Sequence, residues 1–181
     1  MDARTLTELA DKEAIRTLLN LRCRASDRCD MDLALDCYHE DGIEVHPGYE
    51  TMTARAFIIN HSEMARGDAS PVYMMSHVLL NMIIDLDGDA AFVETYHVAR
   101  NRARDASGDR EYTIGGRYLD MVTKRDGRWA ISRREIVVDW STVLPVGEQF
   151  WDVIPNGSSI IRGERGASDA LYQHIQRGAV R

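Results

Sequence analysis

The chain has 181 residues, 44% hydrophobic and 28% charged, with a formal charge of -7. That length supports one domain with its own core, and Cys23, Cys29 and Cys37 are too few and too unevenly spaced for a disulfide framework or a C-x-x-C site. Acidity without a basic stripe excludes nucleic acid and anionic membranes as expected partners, and a polar N-terminus with no bilayer-length apolar run predicts a cytoplasmic protein.

Thr5 and Glu8 have capping-box spacing, and Leu6, Leu9, Ile15, Leu18 and Leu19 recur at helical intervals, which predicts a first helix from about Leu6 to Ser26. Arg22 and Ser26 continue its apolar face, and Asp27 follows at its end. Asp30 can cap a second helix, Met31 to Tyr38; Ile43 and Val45 mark a short strand; Thr53 to Ala65 reads as a third helix. Beyond Pro71 the period becomes strand-like. Strands are predicted near Val72 to Leu86, Ala90 to Arg104, Arg110 to Lys124 and Arg128 to Trp140, with turns at Asp87-Gly88-Asp89, Ala106-Ser107-Gly108-Asp109 and Asp126-Gly127. A helical first third followed by an antiparallel meander is an α+β arrangement. Residues 1–140 form the expected domain, and 141–181 an irregular extension, with a short helix around Leu171, Tyr172 and Ile175, that packs on the same domain or a neighbouring subunit.

The most apolar stretch, Pro71 to Asp85, holds one histidine. His77 shares its parity with Tyr73, Met75, Leu79, Asn81 and Ile83, so its ring projects among apolar side chains, where a core histidine is the ordinary reading. Three more polar groups point to a site. Arg22 lies on an apolar helix face, Asp27 at that helix's end, and Arg134 on a strand face with Ile136 and Val138. A two-residue Asp126-Gly127 turn places Arg134 opposite Leu119, sharing a face with Met121 and leaving Asp120 on the other face; a guanidinium there is costly without a carboxylate or anionic ligand. Asp27 against one imidazole nitrogen would leave the other to take a proton, and the arginines would stabilise developing negative charge. Each arginine alone is equally consistent with a structural ion pair. Tyr38, Tyr73, Tyr96 and Trp140 are candidates for lining an apolar pocket, with core packing as the alternative. His39, His46 and His61 lack ligand spacing, so no metal is expected.

The segments DKEAIRTLL, ASDRCDMDLALDCYHEDGIEV, MMSHVLLNMIIDLDGDAAFVETY and GGRYLDMVTKRDGRWAISRREIVVDW, with RGERGASDALY in the tail, resemble the SnoaL-like group of the NTF2-like superfamily, which includes scytalone dehydratase, hexachlorocyclohexane dehydrochlorinase and bile acid 7α-dehydratase. The resemblance implies a cone-shaped α+β barrel, N-terminal helices packed into a curved, mostly antiparallel sheet around a closed pocket. It also implies an Asp-His dyad working without metal or organic cofactor, here Asp27 and His77, and an arginine after a Trp-x-x-x-x spacing, here Arg134 after Trp129. Arg22 occupies the position that is Tyr in dehydratase-like members and Lys in the dehydrochlorinase; it suits electrostatic stabilisation better than acid catalysis. His97 resembles a second pocket histidine. A three-residue Asp87-Gly88-Asp89 loop pairs it with Leu79, on His77's side, and a two-residue loop reverses it. The implied activity is removal of water or halide from a small, apolar, cyclic molecule. Isomerisation or polyketide cyclisation uses the same base, and non-catalytic ligand binding or assembly is a third reading. A homo-oligomer is expected, a trimer ahead of a dimer.

Overall fold

A computed structural model describes residues 2–106 and 108–176. Helix α1 spans Ala3–Arg28, capped by Asp2, whose side chain accepts from the Thr5 amide, so the helix begins one turn earlier than the Thr5 box predicts. Its inward stripe is Ile15, Leu18, Leu19, Arg22 and Cys23, and it ends at Cys29 in the left-handed region, φ 58°. Asp30 caps α2 (Met31–Asp36), which stops short of Tyr38; that residue instead opens strand β1 (Tyr38–Val45). After the short β2 (Met52–Thr53), the predicted third helix is divided into α3 (Ala54–Asn60) and α4 (Glu63–Arg66).

Four long strands follow: β3 (Val72–Asp87), β4 (Ala90–Asp105), β5 (Gly108–Arg125) and β6 (Arg128–Pro145). They form an antiparallel meander, β1 joins β6 in parallel, and the sheet order is β2-β1-β6-β5-β4-β3. The sheet is mixed and open, with β2 and β3 at its edges, and it follows the helices in the expected α+β arrangement. Asp126 and Gly127 both have positive φ, as a two-residue hairpin turn with right-handed strand twist requires. Of the predicted turn Ala106-Ser107-Gly108-Asp109, Ser107 lies outside the described residues.

The strands are not uniform ladders, and their irregularities set which residues face the helices. One residue is gained on β3 between Leu79 and Met82. Before it Met75, His77 and Leu79 face inward; after it Ile84 is buried and Ile83 is 54% exposed, the reverse of a constant parity. A shift between Val72 and Met74 likewise leaves Tyr73 outward. On β6 one extra residue, Ser132, falls between Ile131, opposite Val122, and Arg133, opposite Met121.

At a second β6 irregularity, where Asp139 is the extra residue, Gly116 faces Val138 across the ladder and His97 on the other side. An added Cβ there would sit 2.0 Å from the Val137 carbonyl oxygen, a backbone atom that cannot rotate away. Gly116→Ala is therefore expected to cost about 3 kcal/mol by overpacking, measured as a lower denaturation midpoint at unchanged slope.

The extension folds back on its own chain. The Gly166 amide donates to the Arg28 carbonyl at 2.7 Å, Arg28 pairs with Asp169 at 3.7 Å, and Tyr172 donates to Asp30 at 2.8 Å. β6 runs five residues past Trp140 before this begins. Among the described residues no helix is long and apolar enough to cross a membrane.

Candidate active site

Asp27 lies in the last turn of α1, opposite the inward face of β3. His77 Nδ1 donates to Asp27 Oδ1 at 2.6 Å and the His77 backbone N–H to Oδ2 at 3.1 Å. One carboxylate thus holds both the ring and the main chain of a single residue, which fixes the imidazole rotamer. Nε2 makes no hydrogen bond among the described residues, and His77 lines a cavity of about 360 Å³ between helices and sheet. That volume suits a compact organic molecule.

Behind the dyad is a buried charge network. Arg22 donates from Nε to the Tyr38 hydroxyl at 3.2 Å and from Nη1 to Ser26 at 2.5 Å, and Tyr38 donates to Glu44 at 2.6 Å. Arg134 is bidentate on Asp120, at 2.7 and 2.8 Å, with both residues almost wholly buried. Burial opposes Arg134's charge, but Asp120 outweighs it and holds the guanidinium protonated. The Ser132 bulge places Asp120, rather than the expected Leu119, opposite Arg134. Arg134 faces inward with Ile136 and Val138, as expected, but it meets a carboxylate there, and Met121 is turned outward, 40% exposed.

His97 also reaches the cavity. The hairpin before it has two loop residues, since Asp87 pairs with Ala90, which would place His97 outward in a regular ladder. The extra β3 residue compensates and pairs it with Leu79. Its ring stacks on Tyr118 at 3.9 Å, and Arg134 lies 4.3 Å from the same tyrosine's centroid. Burial, with His77 and Arg134 nearby, lowers its pKa to about 4. Since the unfolded imidazole protonates near its ordinary value and the folded one only near 4, stability is full above pH 6.5 and falls as pH drops toward 4. The expected loss is about 3 kcal/mol over that window. His97→Phe, which keeps the stacking, should flatten this acid limb in urea titrations.

The aromatic candidates distribute differently from expectation. Tyr38 stands behind the cavity wall, engaged by Arg22 and Glu44. Tyr73 is 41% exposed with Arg104 over its ring, and Tyr96, one residue from inward His97, is turned to the outer face. Trp140 pairs with Gly115, and its indole occupies the space a side chain there would take, also on the outer face. These three do not line the cavity. Its aromatic wall is instead Tyr118, with His46 stacked on Phe57 at 4.8 Å and Tyr49 edge-on to both. His46 lacks ligand spacing and Glu44 is a lone strand carboxylate, so neither carries a sequence signature of the cavity, and Arg165 reaches it from the extension with no local signal either.

Helices followed by an open mixed sheet, with a partly buried Asp-His pair beside a cavity between the two, form an NTF2-like α+β arrangement. A sequence model of the SnoaL-like domain matches residues 7–135, and the chain belongs to that family. A search of curated proteins found no match. Among solved structures, a type 2 hexachlorocyclohexane dehydrochlorinase (LinA) is similar at TM-score 0.68 and 19% identity, over 84% of this chain and 99% of that one. A protein provisionally described as a scytalone dehydratase, from Novosphingobium aromaticivorans, gives 0.66 and 22%, over 80% and 99%. A variant of Rv3472, a protein of unknown function from Mycobacterium tuberculosis, gives 0.60 and 20%, over 95% and 88%. At these identities the likeness concerns the fold.

Proposed function

We propose that this protein is a cofactor-independent lyase that eliminates water or halide from a small, largely apolar, cyclic substrate. The observation that carries the reading is the 2.6 Å bond between His77 and Asp27 at the wall of the cavity. Asp27 accepts from Nδ1, so Nε2 is the basic nitrogen and takes a proton from the carbon next to the leaving group. The C–H electron pair becomes the new π bond as the leaving group departs with its own pair: halide as the anion, hydroxide after taking back the proton from the imidazolium. Asp27 stabilises that imidazolium, and Arg22, on the cavity wall, stabilises the departing charge. Arg134, already neutralised by Asp120, contributes its position and remaining N–H groups.

The lyase kinship of the dehydrochlorinase and the scytalone dehydratase-like neighbour supports this reaction class. A second reading is proton-shuttling isomerisation, favoured by one observation: His97, kept neutral on the same cavity, can act as a second proton-transfer group. A panel of alicyclic chlorides and cyclic β-hydroxy ketones separates the two. Halide release or a product lighter by one water supports elimination; a product of unchanged mass supports isomerisation; no turnover of any member, with no solvent deuterium incorporated, counts against both.

A further inference from the structure

The extension places a third arginine at the cavity, and its surroundings differ from those of the other two. Arg134 is neutralised by Asp120, and Arg22 is linked through Tyr38 to Glu44. Arg165 donates from Nη1 to the Val72 carbonyl at 2.6 Å and from Nη2 to the Cys29 sulfur at 3.6 Å, both neutral acceptors. Its Nε is buried without a partner, and among the described residues no carboxylate pairs with it. Glu63, on the same wall, is engaged by Arg66 and Ser70. A half-buried guanidinium on a cavity wall that also carries Met75, Ile114 and Val138, with no counter-charge among the described residues, is costly unless a ligand supplies one.

The position is as informative as the charge. Val72, which anchors Arg165, lies five residues before His77 along β3, roughly 16 Å at strand rise. Between them Asn101 pairs with Met75, and its buried Oδ1 also lacks a partner, as does His97 Nδ1 further along β4. Both residues, like Arg165, stand on the cavity wall, so three of the described residues that bury an unpartnered polar atom belong to it.

We propose that Arg165 is a specificity-determining residue that captures an anionic group, a carboxylate or its equivalent, at the end of the substrate remote from the reacting carbon. The proposal rests on the lyase reading for the word substrate, but anion capture itself is a binding property and is tested without turnover. Overall negative charge repels anions, so any anion preference must be local.

The test uses 2-naphthoate and its neutral isostere 2-naphthamide in calorimetric titrations of the full chain. Wild type is expected to bind the carboxylate about tenfold more tightly, and Arg165→Gln to reduce that preference below about threefold, with partial recovery in Arg165→Lys. In the unmodified protein, 2-naphthoate but not 2-naphthamide should slow phenylglyoxal modification of Arg165, read by peptide mass spectrometry; this readout survives if the glutamine variant does not fold. Equal affinity for both probes, a preference unchanged in Arg165→Gln, or absence of protection overturns the proposal. The same preference in His77→Ala separates it from the lyase reading: a dyad inert in turnover leaves these isotherms standing, and lost preference leaves the dyad untouched.

Discussion

Replacing His77 with alanine is expected to lower kcat for elimination by about 10³ on any substrate that the panel identifies, with ligand affinity changed little. The size follows from removing a base whose orientation the structure secures twice, through the ring and through the backbone N–H to the same Asp27 carboxylate. Asp27→Asn should cost about 10² to 10³, because an amide can donate to Nδ1 and select the opposite tautomer, turning an N–H rather than a lone pair toward substrate. His77→Gly assayed with added imidazole should recover part of the lost rate, which a purely structural histidine would not. Unchanged turnover in His77→Ala would remove the lyase mechanism as stated.

The second large effect concerns stability. Asp120→Ala leaves Arg134 buried with no carboxylate partner, and the expected loss is about 3 to 5 kcal/mol, read from urea unfolding. The double substitution Asp120→Leu with Arg134→Met removes both charges together and should recover most of that loss, since a well-packed apolar pair avoids desolvating two ions. Activity then divides the two roles of Arg134. If the double variant is stable and active, the arginine is a scaffold; if it is stable and inactive, the guanidinium acts on the leaving group or on the substrate's developing charge.

Local pattern made much of this molecule legible. The helical stripe of Ile15, Leu18 and Leu19 places Arg22 inward, and the structure has it buried. Asp27 and His77 are named by their surroundings, a carboxylate at a helix end and an imidazole on an apolar strand, and they lie within hydrogen-bonding distance. The Asp126-Gly127 turn pairs Arg125 with Arg128, as a two-residue loop must. Extrapolation failed beyond the first irregularity in each strand. A single inserted residue reverses every later side chain, which turns Ile83, Tyr73 and Met121 outward and places Asp120 beside Arg134. For His97 two such effects cancel, the short hairpin loop and the extra β3 residue, and no period-two count reveals that.

The sequence by itself determined the class of fold and most ends of the long strands, because these rest on periodicity, caps and turn residues acting within a few positions, while the pairing of Asp27 with His77, 50 residues apart, is what the family resemblance implies. The tertiary structure alone decided that Arg134 has a carboxylate partner, that Tyr96 and Trp140 face outward, and that Arg165 enters the cavity from 136 residues beyond its Cys29 contact. Bulges and chain-distant contacts arise from global packing: which extra residue a ladder tolerates, and which tail returns to which helix end, depends on all the surfaces that must be buried at once.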